Sequence, residues 1–261
     1  MFDFHMHTGV SFDSEATPLE MIAAAERMGL KEICFTDHYD FQNDPDGVHH
    51  LFCLSDYKAA YDGLLSNELT IRRGVEFGMT AWNTKELIEL TSSYPFDFVI
   101  GSVHSVGNSD PYFAAFWEGK SVEAGFEECL LQTLVCVRAH DDFDVLGHLS
   151  YACKSPNLPR RVLLRYRDYA DLCDEIMRVL AEKGKGMEIN TSGVDAVGDF
   201  LPDRDFFLRF KELGGEIVTV GSDAHAPSRV GQYTARAVAL AKEIFGYVCT
   251  FEGRKPILHR D

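Results

Sequence analysis

Residues 17–36 read TPLEMIAAAERMGLKEICFT, and this stretch predicts a helix followed by a buried strand. Thr17 can cap the helix, Pro18 suits its first turn, and Glu20 lies three residues after the cap. Gly29 is expected to end the helix, and the run from Glu32 to Thr36 is typical of a strand in a parallel sheet. The stretch therefore indicates one complete unit of an α/β fold.

The same alternation of short apolar runs and amphipathic helices continues along the chain. Predicted strands cover residues 2–5, 32–36, 70–75, 96–101, 144–147, 186–190 and 216–220. Because strand–helix crossovers are right-handed, seven consecutive units curl a parallel sheet into a closed or nearly closed barrel. No Pro-rich or Ser-rich linker interrupts these units, so we expect a single domain over residues 1–261.

The composition of the chain limits the kinds of molecule that it is expected to bind. The 261 residues are 46% apolar and carry 25 basic and 41 acidic side chains, a formal net charge of −16. That charge repels nucleic acid and anionic membranes, so neither is expected as a partner. The first residues lack signal-peptide features and no apolar run matches a membrane span, so a cytoplasmic location is expected. Seven cysteines without a C-x-x-C pair argue against disulfides and a thiolate zinc site.

Histidines and acids follow the predicted strands at their carboxyl ends, where barrel enzymes place their reacting groups. These residues are His5, His7, Asp37, His38, Glu76, His104, His148, Asp223 and His225. Side chains two residues apart on a strand point the same way, so His5 and His7 can share one cavity. Burying so many polar groups without a bound partner would cost several kcal/mol. The mixture of imidazole and carboxylate therefore predicts a zinc, manganese or iron(II) site rather than calcium or magnesium.

Motifs around these residues resemble the ordered motifs of the polymerase-and-histidinol-phosphatase (PHP) superfamily over nearly the whole chain. They are His5-Met6-His7-Thr8, Phe35-Thr36-Asp37-His38, Gly74-Val75-Glu76, Gly101-Ser102-Val103-His104, Val145-Leu146-Gly147-His148 and Gly221-Ser222-Asp223-Ala224-His225. Residues 97–104, 190–193 and 213–216 are more similar to stand-alone histidinol-phosphate phosphatases of histidine biosynthesis than to polymerase-attached members.

The resemblance implies a distorted (βα)7 barrel that holds two to three divalent ions of Zn, Mn or Fe and no organic cofactor. The ligand sets carried over are His5, His7, Glu76 and Asp223 for the first metal, Glu76, His104 and His148 for the second, and Asp13, His38 and His225 for the third. Other members have a histidine at the position of Asp13. Asp37 is expected to orient an imidazole without binding metal itself.

The resemblance also implies hydrolysis of L-histidinol phosphate by in-line attack of a metal-bridging hydroxide, with Glu76 joining the two metals. The leaving alkoxide would take its proton from one of three donors, which are metal-held water, the Asp223 side chain and the His225 side chain. The partner is then a small phosphate monoester. Candidate phosphate-binding residues on the loops near the strand ends are Lys154, Arg160, Arg161 and Arg229.

Three other functions fit parts of the pattern. A related phosphoesterase could act on another small monoester or a nucleotide, because the metal motifs recognise phosphate and the loops select the rest. A metal-dependent amide or ring hydrolase also carries H-x-H after its first strand, but it usually needs a metal-bridging lysine that is not predicted here. A non-catalytic barrel would not need the full ligand set. Phosphate release separates the phosphatases from the other two.

Overall fold

Parallel strands form the central sheet of the protein, for which a computed structural model describes residues 1–260. In chain order the strands are β1 (Phe2–Asp3), β2 (Glu32–Phe35), β3 (His38–Asp40), β4 (His50–Leu51), β5 (Thr70–Gly78), β6 (Phe98–Ser102), β7 (Val145–Leu146), β8 (Gly186–Asn190), β9 (Val218–Gly221), β10 (Val248–Glu252) and β11 (Lys255–His259). The helices are α1 (Pro18–Arg27), α2 (Leu54–Tyr61), α3 (Thr84–Ser93), α4 (Ala114–Trp117), α5 (Val122–Ala139), α6 (Ala170–Glu182), α7 (Gly193–Val197), α8 (Arg204–Glu212) and α9 (Thr234–Phe245).

The sheet curls into a nearly closed barrel. Its parallel strands follow the order β1-β2-β5-β6-β7-β8-β9, which is the order of the predicted units. The backbone N–H of Phe4 donates to the carbonyl of Val220 at 2.9 Å, and a parallel bridge joins Met6 to Ala224. These contacts bring the end of β9 next to β1, so the predicted α/β barrel is confirmed.

The predicted start of α1 is also confirmed. The Thr17 side chain accepts a hydrogen bond from the backbone N–H of Glu20, and the Glu20 carboxylate accepts one from the backbone N–H of Thr17 at 2.8 Å. This reciprocal pair satisfies two backbone donors that the first helical turn leaves free. Within residues 1–260, no helix is both long enough and apolar enough to cross a membrane.

Two strand-end predictions are wrong in position. Glu76 lies inside β5 rather than after it, and His38 begins the separate strand β3 rather than ending β2. The reason is that β5 changes partner along its length. Its first four residues pair with β2, whereas Glu76 pairs with His38 of β3. The separate strand β3 pairs with the second half of β5, and this pairing places the side chains of His38 and Glu76 at the rim of the barrel.

A carboxy-terminal hairpin, β10 with β11, covers the amino-terminal end of the barrel and was not predicted. Phe251 of β10 packs on Phe98, the first residue of β6, with ring centroids 4.8 Å apart. Phe4 and Val145 belong to the same apolar cluster. The barrel interior is therefore apolar at this end, and its polar side chains gather at the other.

Candidate metal centre

Four side chains from β5 and from the segments that follow β1 and β9 form a first group of potential ligands. His5 Nε2 lies 3.1 Å from Glu76 Oε2, and His7 Nε2 lies 3.3 Å from Asp223 Oδ1. Asp223 has a φ of 55°, an uncommon backbone conformation for a residue other than glycine. Its N–H donates to the His5 carbonyl at 2.8 Å, so the junction of β9 with β1 holds this group together.

A second group shares Glu76 with the first. The other oxygen of this carboxylate, Oε1, lies 2.8 Å from His148 Nε2 and 3.3 Å from His104 Nε2. His104 and His148 follow β6 and β7, the next two strands of the barrel. Glu76 therefore presents one oxygen to each group.

A third group lies nearer the surface. Asp13 Oδ2 is 3.1 Å from His225 Nε2 and 3.5 Å from His38 Nε2, and the Asp13 side chain is 35% exposed. The His7 ring stacks on those of both His38 and His225, with centroids 4.2 and 4.1 Å away. We refer to the members of the three groups together as the ligand cluster; they are His5, His7, Asp13, His38, Glu76, His104, His148, Asp223 and His225.

The ligand cluster has the chemistry of a site for divalent cations. Four buried atoms in it have no hydrogen-bond partner among residues 1–260, and they are His5 Nε2, His7 Nε2, His38 Nδ1 and Glu76 Oε2. Unpaired polar atoms at such depth are costly unless something else binds them. Imidazole nitrogens and carboxylate oxygens directed at one another are the donor set that zinc, manganese and iron(II) accept.

The pKa shifts of two members of the cluster, His7 and Glu76, suit cation binding. Burial lowers the pKa of His7, and the like charges of His225 and His38 lower it further, so His7 is neutral at pH 7. Burial alone would raise the pKa of Glu76, but its histidine neighbours outweigh burial and hold this pKa well below its usual value. A neutral imidazole and an ionised carboxylate are the forms that bind metal.

Two buried carboxylates next to the cluster were missed at the level of sequence. Glu188 Oε1 lies 2.6 Å from His5 Nδ1, and Asp40 Oδ2 lies 2.9 Å from His104 Nδ1. The sequence signal for Glu188 is an acid inside the predicted strand 186–190. No comparable signal marks Asp40, because β3 was not predicted.

Asp37 was expected to orient an imidazole, and Ser11 lies between it and the ligand cluster. Ser11 Oγ donates to Asp37 Oδ1 at 2.9 Å and lies 3.1 Å from His7 Nδ1. Tyr61 also donates to Asp37. Any influence of Asp37 on His7 therefore passes through Ser11.

The four candidate phosphate-binding residues occupy different surroundings. Lys154 Nζ lies 2.6 Å from Asp223 Oδ2, at the edge of the first group. Arg160 pairs with Glu123 at 2.6 Å, with both side chains more than 60% exposed. Arg161 is exposed, and Arg229 pairs with the partly exposed carboxylate of Asp195. The structure brings Lys154 to the ligand cluster and gives the two paired arginines other carboxylates as partners.

Comparison with known proteins places the chain in a family. The family model described as the PHP domain matches residues 3–192, well over half of the chain. The chain belongs to the PHP domain family. Within this family it is 32% identical to a histidinol-phosphatase of Lactococcus lactis subsp. lactis (strain IL1403), and the match covers 97% of this chain and 95% of that protein.

The PHP domain described here also resembles a solved structure closely. The crystal structure of histidinol phosphate phosphatase from Lactococcus lactis, complexed with Zn, L-histidinol and phosphate, matches it with a TM-score of 0.84 and 30% sequence identity. The match covers 98% of each chain. The resemblance to the PHP superfamily, stated from the sequence motifs, is thereby confirmed.

Proposed function

We propose that this chain is a metal-dependent phosphomonoesterase that hydrolyses L-histidinol phosphate to L-histidinol and phosphate. The observation that carries the proposal is the ligand cluster, whose three groups meet at Glu76 and His7. The chain that carries this cluster matches, over nearly its full length, a phosphatase whose structure contains Zn, L-histidinol and phosphate. Two to three divalent ions would occupy the cluster, with zinc as the proposed metal and manganese and iron(II) as alternatives.

Divalent cations held by the ligand cluster would supply an acidified water molecule and neutralise charge on the phosphoryl oxygens. The residues themselves arrange these cations around one shared carboxylate. Glu76 directs Oε2 towards His5 and His38 and Oε1 towards His104 and His148. Glu76 thus fixes the spacing between the first and second groups, which determines how a phosphate ester can lie across them.

Cations are also required by the charge of the site. Asp13, Asp40, Glu76, Glu188 and Asp223 surround the imidazoles, and the whole chain carries −16. A phosphate dianion would be repelled by these carboxylates if they bound no cation. We infer that substrate attraction is short-ranged and begins only when the cluster is loaded.

Lys154 is the proposed phosphate-binding residue of this chain. Burial alone would lower its pKa, but the nearby Asp223 carboxylate raises it, so the ammonium group stays charged. Ser192 Oγ lies 3.5 Å from Lys154 Nζ and donates to the same Asp223 oxygen at 3.2 Å. An ammonium group held beside the first group can donate to a phosphoryl oxygen bound there.

Neither side-chain candidate is suited to protonate the leaving alkoxide. Burial would raise the pKa of Asp223, but Lys154 and His5 outweigh burial and hold it well below its usual value. An ionised Asp223 has no proton to give at neutral pH. His225 lies in the third group, and as a neutral metal ligand it would have none to give either, so water held by the cluster is the proposed donor.

Replacing Lys154 with methionine tests the phosphate contact. A charge-assisted hydrogen bond is worth about 1.5–3 kcal/mol, so we expect kcat/KM for L-histidinol phosphate to fall about 10–100-fold. The exposed Lys85, replaced in the same way, is the matched control and should leave kcat/KM within about twofold. An unchanged Lys154→Met enzyme, together with a large loss in Arg160→Ala, would move the phosphate contact to Arg160.

The proposed reaction is tested by measuring phosphate release from a panel of monoesters that includes L-histidinol phosphate, small sugar phosphates and nucleotides. Each ester is assayed with zinc, manganese and iron(II). We expect L-histidinol phosphate to have the highest kcat/KM. A preference for another ester by orders of magnitude would replace the substrate, and no phosphate release from any ester would overturn the reaction class.

Two further proposals concern the setting of the enzyme. We propose a role in histidine biosynthesis in the cytoplasm, which follows from the substrate. We also propose that residues 1–261 form one domain, of which Asp261 lies outside the described residues. The continuous path of parallel strands from β1 to β9 supports that view.

A further inference from the structure

Asp40 occupies a buried position between two imidazoles of the ligand cluster. Its carboxylate oxygen Oδ2 lies 2.9 Å from His104 Nδ1 and 3.4 Å from His38 Nδ1. Asp40 itself is 5% exposed. One carboxylate oxygen is thus within reach of the same ring nitrogen on two different histidines.

These two histidines belong to different groups of the ligand cluster. The second nitrogen of His104, Nε2, lies 3.3 Å from Glu76 Oε1 in the second group. The second nitrogen of His38 lies 3.5 Å from Asp13 Oδ2 in the third group. A carboxylate that binds Nδ1–H keeps the proton there and leaves the Nε2 lone pair free for a cation. Asp40 is placed to do this for His104. His38 Nδ1 lies closer to Glu76 Oε2, at 3.1 Å, and has no hydrogen-bond partner among the described residues.

The neighbouring strand is shaped to fit Asp40. Asp40 pairs with Gly78 of β5, and a Cβ atom at Gly78 would come within 2.6 Å of Asp40 Oδ1. Any larger residue at this position would force the Asp40 carboxylate to move. Asp40 Oδ1 is buried without a hydrogen-bond partner among the described residues, which lowers the stability of the fold. A functional role for Asp40 would account for this cost.

We propose that Asp40 is a positioning residue of the second cation site, which holds His104 in the tautomer and orientation that bind metal. The proposal rests on the proposed function only in taking the ligand cluster to bind divalent cations. In the second group, the partners of His104 are Glu76 and His148. Removing Asp40 should therefore weaken the second site and largely spare the other two.

The test is a zinc titration of the full chain in chelator-buffered solution, with bound metal measured by mass spectrometry and no phosphate ester present. The wild type should bind up to three zinc ions. Asp40→Ala should bind one of these ions about 10–100-fold more weakly and should retain the other two. Asp46→Ala, which removes an exposed carboxylate from the β3–β4 turn, is the control and should bind like the wild type.

Two more variants guard against a simple folding defect. Gly78→Ala leaves Asp40 in the chain but crowds its carboxylate, so it should weaken zinc binding at the same site. Asp40→Asn retains an acceptor oxygen and should recover part of the affinity. Equal binding by Asp40→Ala and the wild type, or equal loss at all three sites with an unchanged melting temperature, would overturn the proposal.

A direct readout of the ring is available from nitrogen-15 NMR of the histidines in zinc-loaded protein. We expect His104 to bind zinc through Nε2 with its proton on Nδ1 in the wild type, and this pattern to be lost in Asp40→Ala. An unchanged His104 pattern in Asp40→Ala would overturn the proposal. Zinc binding as expected without phosphate release would contradict the proposed function and leave this inference standing.

Discussion

Glu76→Gln should lower kcat for L-histidinol phosphate by at least about 10³-fold, equivalent to about 4 kcal/mol in the activation barrier. The reason is that both oxygens of this carboxylate are engaged, Oε2 with His5 and Oε1 with His148. An amide retains one acceptor oxygen and loses the negative charge, so it cannot join two cation sites. The measurement is steady-state phosphate release at saturating zinc, together with the zinc content of the variant.

The matched control for this prediction is Glu182→Gln at an exposed position of α6, which should leave kcat within about twofold. Metal-free Glu76→Gln should melt below the metal-free wild type, because the histidines around Glu76 stabilise its ionised form and the amide loses that charge. A Glu76→Gln enzyme that retains more than a tenth of wild-type kcat would contradict the role given to Glu76.

Chelation should abolish turnover and lower the melting temperature by about 10 °C. Cations that bind only the folded chain at about 1,000 times Kd stabilise it by about 4 kcal/mol, and each kcal/mol moves the melting temperature of a chain of this size by about 2–4 °C. Once the cations are removed, the buried His5 and His7 nitrogens and the Glu76 oxygen have no hydrogen-bond partner among residues 1–260. Thermal unfolding with and without EDTA measures the shift.

Readdition of zinc after removal of the chelator should restore both activity and melting temperature. Glu76→Gln serves as the comparison here, because it lacks the shared carboxylate and should show a smaller shift on chelation. Full activity in the presence of excess EDTA, after prolonged dialysis, would argue against metal-dependent catalysis by this chain.

Much of the fold was predictable because its signals are local. The capping pair of Thr17 and Glu20 and the buried run of β2 are each contained within a few residues. The strand β3 was not predictable in this way. It exists because β5 leaves β2 and takes a new partner, and three residues around His38 carry no periodic pattern of their own.

The candidate site likewise contains residues that the sequence predicts and residues that only the structure reveals. The members of the ligand cluster were predicted as a set, eight of them from histidines and acids near the ends of strands and Asp13 from the family resemblance. Asp40 and Glu188 were not, because a buried acid is recognised only by what surrounds it. Lys154 could not be separated from Arg160 by sequence, since both lie on the loop after β7.

The sequence by itself determined the order of the seven parallel barrel strands, the class of metal ligand and the family, because periodicity, capping and motif spacing act over short stretches of chain. Only the tertiary structure decided which atoms face one another. The contact of Asp223 with His5 joins residues more than 200 positions apart, and it depends on β9 lying beside β1. Strand register and barrel closure set such contacts, and these are properties of the whole packed sheet.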